Sequence, residues 1–345
     1  MRSLGLHTAD IDDGNSYWAV ERRRIYSGPR DPVVILGDSR ILFDTNLDVW
    51  QQLTGVRPVQ LALPGTPALP FLTDLADDEH FAGLVVLGVN EAIFFLPVPG
   101  VNGEALHYSR TESPSQRFGH RINLLLQRGL AFVESDYSLF SLIDRLDIPS
   151  RPGVDANYIT VGKEYAGIWK LSESFADRQT TLWPRLETDP YLRKHAELAW
   201  SGLIAVINDL LAHNKPYPDA LVSRMIAQTQ RDVEKIRGRG GEVVLVRPPA
   251  SGEFLRWERI VVPRVTVWDR LLRETHSFGI HFEDYPEMRA LVPREWSHLG
   301  GSDQKVFSRA YVTVLCQNVA WLQAHTTHCA GHEHADASAG TTSMP

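Results

Sequence analysis

A hydroxyl, an imidazole and a carboxylate can together move an acyl group. The imidazole takes the hydroxyl proton as the oxygen attacks a carbonyl, and the carboxylate fixes the imidazole tautomer and steadies its cation. In this chain the candidate hydroxyl is Ser39 in Gly37-Asp38-Ser39, and the candidate base is His298 in Glu295-Trp296-Ser297-His298. The oxyanion formed on attack needs N–H donors aimed at it. The backbone N–H groups of Ser39 and Gly65 and the side-chain amide of Asn90 are the candidates, and glycine at 65 lets the main chain approach closely. Taken singly, Gly-Asp-Ser, Pro-Gly and a lone Asn are ordinary turn and capping chemistry. Their positions relative to the strands carry the reading.

Val33 to Leu36 is a continuous apolar run with a turn signal on each side, as expected of a strand buried on both faces of a parallel sheet. Gly37 turns the chain sharply off its end and leaves Ser39 at the carboxyl edge, where open α/β folds keep their ligand crevice. Val59 to Leu63 reads as a second strand stopped by Pro64-Gly65-Thr66, and Leu84 to Leu87 as a third ending in Gly88-Val89-Asn90. Helical patterns over Leu47 to Leu53 and residues 67–77 lie between them. This alternation predicts a parallel sheet with right-handed crossovers.

A fourth strand at Val243 to Val246 follows a helix over Leu221 to Arg237, and a fifth at Gly279 to Glu283 follows a helix over Val267 to His276. The last helix spans Ser302 to Ala324. The expected fold is α/β: a flavodoxin-like three-layer α/β/α sandwich on a five-stranded parallel sheet. Residues 91–220 are too many for a structureless loop and show helical patterns at Gln116 to Val133 and Tyr191 to His213, which predicts a large, mostly helical insertion or cap beside the strand ends. Residues 1–30 read as a polar connector, 31–326 as the main domain, and 327–345 as a disordered histidine-bearing tail.

Composition narrows the function classes. Hydrophobic residues make up 43% and charged residues 22%, and a formal net charge of -7 provides no basic surplus for a nucleic-acid backbone. No Gly-x-Gly-x-x-Gly cradle or Walker lysine occurs, so no nucleotide is expected, and no other cofactor is implied. Cys316 and Cys329 cannot make a disulfide framework, and pairing at Cys329, in the polar tail, is expected to do little. His325, His328, Cys329, His332 and His334 match no zinc spacing, so no metal site is expected and a solvated tail is the favoured reading. No run approaches the ~18 apolar residues of a membrane span.

The order of blocks resembles the SGNH, or GDSL-like, hydrolases. In that family a Gly-Asp-Ser block follows the first strand, a lone glycine the second and Gly-x-Asn the third, and Asp-x-x-His stands near the C-terminus. Gly37-Asp38-Ser39, Gly65, Gly88-Val89-Asn90 and Glu295-Trp296-Ser297-His298-Leu299 occupy those places over residues 31–90 and 240–324. The resemblance implies a Ser39 nucleophile, a His298 base, and an oxyanion hole of Ser39, Gly65 and Asn90. The acid is Glu295 where the family has aspartate, with Asp284 as the rival and Asp303 a further candidate.

The insertion and N-terminus resemble the envelope-associated members that act on cell-surface polysaccharides as O-acetyltransferases or esterases. That likeness implies an acylated carbohydrate or other small ester as substrate, and a membrane-bound acyl-transfer partner. It also implies a periplasmic or envelope location if an anchor precedes this chain, and a cytoplasmic one otherwise. Arg247, with Arg256 and Arg264 nearby, is a candidate for binding an acidic sugar, although solvated loop arginines are the plainer reading. Trp296 is the candidate sugar-stacking residue beside His298, while Trp169, Trp183, Trp257 and Trp268 read as packing. The competing function is a non-catalytic polysaccharide-binding or assembly protein on the same fold.

Overall fold

The computed structural model describes residues 10–28, 31–97, 103–130, 170–326 and 328–329, and the backbone alone of 159–161 and 164–166. Strand β1 (Val33–Leu36) is buried at every position, as its apolar run requires. It pairs in parallel with β2 (Val59–Gln60) on one side and β3 (Leu84–Gly88) on the other. Strand β4 (Glu242–Arg247) adds in parallel to β3, and β5 (Gly279–His281) to β4. The order β2-β1-β3-β4-β5 is the flavodoxin-like one, which places its switch point between β1 and β3.

Alternation along β1 divides the core. Val34 and Leu36 point into one apolar cluster and Val33 and Ile35 into the other. The first cluster takes in helix α1 (Asn15–Arg24) through Trp18 and the Ile25 that caps its end, α4 (Leu69–Asp77) and α6 (Asp219–Gly238). The second is covered by α2 (Ser39–Asp44), α3 (Leu47–Thr54) and α8 (Gly301–Asn318). Helix layers on both faces give the three-layer α/β/α sandwich.

The insertion is more mixed than the helical pattern predicts. Its described residues form helices at Ala105–Thr111, Pro114–Gly129 and Pro184–Thr188 and helix α5 (Pro190–Ile207), together with two short antiparallel hairpins. One hairpin pairs Ile159–Val161 with Glu164–Ala166 and the other Ser172–Ser174 with Thr180–Leu182. The helix expected from Gln116 starts two residues earlier, because a Ser113/Gln116 capping box fixes its first turn. Helix α5 runs on through one π turn, Asn208–Ala212.

Residues 1–30 are not simply a connector. Tyr17 and Trp18 are buried, Trp18 Nε1 donates to Leu61 O at 2.9 Å, and Tyr17 Oη donates to Phe175 O at 3.1 Å. Arg22 adds ion pairs to Asp74 and Asp78, and Arg23 one to Glu112, so aromatic anchors and the basic cluster dock the helix together; residues 1–9 and 29–30 lie outside the described set. Arg178, from the insertion, covers the outer side of β2. Its guanidinium donates to Gln60 O at 2.9 Å and Ala62 O at 2.8 Å, while Asp13 accepts two further bonds from it. The Gln60 side chain takes the Ala62 N–H at 3.1 Å.

The expected last helix breaks at Val319 into α8 and Ala320–His325. Beyond the break the chain turns back, and Cys316 and Cys329 form a disulfide with both residues buried. The expectation of an inconsequential Cys329 is therefore corrected: Cys316 lies on the buried side of α8 and the chain returns to it. His325 stacks on Trp321 with ring centroids 4.2 Å apart. His332 and His334 lie outside the described residues.

Candidate active site

The nucleophile turn is fixed by backbone crowding. Gly37 has φ 151°, and a Cβ there would lie 3.0 Å from Gly88 O and collide with Ile41, so the ends of β1 and β3 come close only with glycine at this position. Asp38 then caps α2. Its Oδ1 accepts from Arg40 N at 3.1 Å, and its Oδ2 accepts from Asn90 Nδ2 at 2.7 Å, which joins the turn after β1 to the turn after β3. Burial pushes the Asp38 carboxyl above its ordinary range, opposed by the Arg40 charge and the Asn90 donor.

Ser39 opens α2 half-buried, and its Oγ lies 2.8 Å from His298 Nε2. His298 Nδ1 lies 3.1 Å from Glu295 Oε1, and both residues are fully buried. The same Glu295 oxygen accepts from Ser297 N at 3.2 Å and from His298 N. The extra methylene of glutamate lets its carboxylate fold beneath its own loop and take these amides. The other oxygen accepts from Trp200 Nε1, carried by α5. The Phe43 ring lies against the imidazole at 4.4 Å.

Gly65 stands at φ 61° in its turn and shares a cavity of about 190 Å³ with Ser39 and Asn90. Ile93, Trp200, Leu203 and Phe254 make the apolar side of that cavity. One N–H of Asn90 Nδ2 serves Asp38; the group carries a second. The sequence candidates Ser39, Gly65, Asn90, Glu295 and His298 thus meet at one place. The rival acids do not: Asp284 holds Arg264 through two bonds of 2.7 Å on the surface, and Asp303 sits in the first turn of α8.

Two expected substrate-binding residues are placed elsewhere. Arg247, at the end of β4, is buried and pairs with Glu91 Oε2 and Glu258 Oε2, both at 2.5 Å. These two carboxylates raise its pKa against the effect of burial and leave it no charge to offer a sugar. Trp296 has φ 75°, and its ring lies over Gly252, where any Cβ would collide with it, and not in the Ser39 cavity. Arg256 pairs with Glu253 on the surface. Trp183, Trp257 and Trp268 are buried packing residues, and Trp169 lies outside the described set.

Several residues of the site escape sequence reasoning. Arg40 is fully buried, pairs with Glu258 Oε1 at 2.7 Å, and brings its Nε to 3.2 Å from Ser297 Oγ. Glu258 lies on helix α7 (Gly252–Val261) and so joins Arg40 to Arg247 and, through it, to Glu91. Each end of this chain of charges adjoins a site residue: Arg40 follows Ser39, and Glu91 follows Asn90. Asp44 Oδ1 accepts from Leu299 N at 2.9 Å, and burial raises the Asp44 carboxyl well above its usual range.

A charged residue directly abutting the apolar run Ile41-Leu42-Phe43 is the available signal for Arg40. Trp200 falls in register with the buried Ala196 and Ile207 and the cavity residue Leu203 on one face of α5, a spacing visible in the sequence. Among the described residues, no group of three or more His, Cys, Asp or Glu side chains is arranged to hold a metal. No family model matches the chain, and no curated protein matches it.

Proposed function

We propose that the protein is a serine-dependent acyl ester hydrolase or O-acyltransferase of the SGNH type, acting through an acyl-Ser39 intermediate. One observation carries this reading: Ser39 Oγ, His298 Nε2, His298 Nδ1 and Glu295 Oε1 stand in line at 2.8 and 3.1 Å, facing a cavity shared with Gly65 and Asn90. Ser39 Oγ bonds to the ester carbonyl carbon while its proton passes to His298 Nε2. The oxyanion meets the N–H groups of Ser39, Gly65 and Asn90. As the ester C–O bond breaks, His298 gives that proton to the departing alcohol. Water then repeats the sequence for hydrolysis, or a sugar hydroxyl does so for transfer.

The substrate we infer is an O-acetylated cell-envelope carbohydrate, with an acyl donor delivered by a membrane-bound partner in the transfer case. The buried Cys316–Cys329 disulfide supports an oxidising compartment for such a protein. No helix among the described residues is long and apolar enough to cross a membrane. The test is mass spectrometry after exposure to a fluorophosphonate, with p-nitrophenyl acetate turnover measured beside it. A label on Ser39, lost in His298→Ala, with turnover lost in Ser39→Ala, is expected. Equal turnover by wild type and Ser39→Ala would overturn the acyl-enzyme; polysaccharide affinity that survives Ser39→Ala and is lost with the insertion's aromatics would favour the non-catalytic polysaccharide-binding alternative.

A further inference from the structure

Glu295 is held by donors from two sources. Oε1 is taken by the imidazole and by two amides of its own loop, whereas Oε2 receives the indole N–H of Trp200, which belongs to the insertion. A fully buried carboxylate oxygen stripped of its donor carries a desolvation cost, and the carboxylate is then free to rotate away from Nδ1. Among apolar side chains of this size, only an indole also brings a strong N–H donor. The ring is fixed as well. It stands edge-on to His298 at 5.7 Å and to Phe254 at 6.4 Å, and it walls the Ser39 cavity.

We propose that Trp200 is a positioning and specificity residue: its N–H holds the second oxygen of Glu295, and its ring forms the wall against which the alcohol half of the ester packs. The inference rests on the acyl-enzyme reading above. The side of the cavity follows from the chemistry. His298 must protonate the departing alkoxide, so the aromatic surface that touches the imidazole lies beside the alcohol and not beside the acyl chain. An indole face there suits a flat-sided alcohol, a pyranose or an aryl ring, over a small aliphatic one. The triad is consequently complete only with the insertion docked, because α5 supplies one of its fixing bonds.

Two variants separate the roles. Trp200→Phe keeps the ring and removes the N–H. Its kcat on p-nitrophenyl acetate is expected to fall about tenfold to a hundredfold, the loss of one hydrogen bond to a charged group, with KM within about twofold of wild type. Trp200→Leu removes both. It is expected to show the same fall in kcat and a KM raised about three- to tenfold for p-nitrophenyl acetate and an acetylated pyranoside, but unchanged for ethyl acetate. A Trp200→Phe protein with wild-type kcat overturns the positioning role, as does one whose kcat, KM and melting temperature all deteriorate together, since that is a packing defect. Equal KM changes for cyclic and aliphatic alcohols overturn the specificity role. Wild-type labelling of Ser39 is run alongside: its absence defeats the acyl-enzyme reading itself, and its presence confines any failure to Trp200.

Discussion

The two halves of the candidate site are positioned by different means. Ser39, Gly65 and Asn90 stand where strands end, so the parallel ladder that pairs Leu36 with Leu87 and Ile35 with Gln60 sets their relative places. His298 sits in an irregular segment with no ladder of its own. That segment is held by side chains reaching in from elsewhere: Asp44 takes Leu299 N, Arg40 meets Ser297 Oγ, Ser251 Oγ donates to Pro293 O, and Glu187 accepts from Gly301 N. Backbone pairing places the nucleophile edge as a by-product of folding. The base depends on buried polar contacts, each of which is costly to leave half-made.

The contrast can be tested from its largest effect downward. Ser39→Ala, on the ladder side, is expected to lower kcat/KM by about 10⁴-fold or more while leaving the melting temperature within a few degrees, since a half-buried hydroxyl is all that is lost. Glu295→Gln, on the loop side, should cost about 10²- to 10⁴-fold in kcat. It should also weaken the segment itself, because an amide in either orientation presents an NH₂ where the loop amides or Trp200 donate. Steady-state rates and thermal melts on the same preparations separate the two; a Glu295→Gln protein with wild-type rate would remove Glu295 from the triad.

Glu258→Ala tests the scaffold. It leaves Arg40 and Arg247 buried with fewer partners, and a loss of about 3–5 kcal/mol in urea unfolding is expected. The smallest effect is that of Asp44→Asn. Burial raises this carboxyl in the folded state, so the stability its proton contributes is complete below the unfolded carboxyl value and is lost as pH rises through the folded one. Melting temperature measured from pH 5 to pH 8 should therefore decline less steeply in Asp44→Asn than in wild type. An identical slope would show that Asp44 is ionised across that range.

The same contrast explains what could be read in advance. Val33 to Leu36 and Leu84 to Leu87 declare themselves because burial on both faces leaves a local apolar run, and the glycines and Asn90 follow directly at the strand ends. The Glu295-His298 spacing was legible for a similar reason: both partners lie within four residues. Arg247 misled because a cation at a strand end looks the same whether it awaits a ligand or already holds Glu91 and Glu258, and only tertiary folding brings Glu91 to it. Trp18 was obscured by the polar residues around it, and the Cys316–Cys329 bond by a tail whose composition gives no sign that it turns back.

The covering of β2 by Arg178 has a consequence for how the molecule meets its own copies. An outermost strand ordinarily leaves a row of carbonyl and amide groups on which a second chain can grow, the first step of runaway assembly. Here the Gln60 and Ala62 carbonyls are already taken by a guanidinium that Asp13 holds in turn, and the Ala62 amide by the Gln60 side chain. The N-terminal segment and the insertion thus jointly cover the β2 edge of the sheet. Loss of the Arg178–Asp13 pair alone, with Trp200 still docked on Glu295, would be felt as a loss of solubility more than of chemistry.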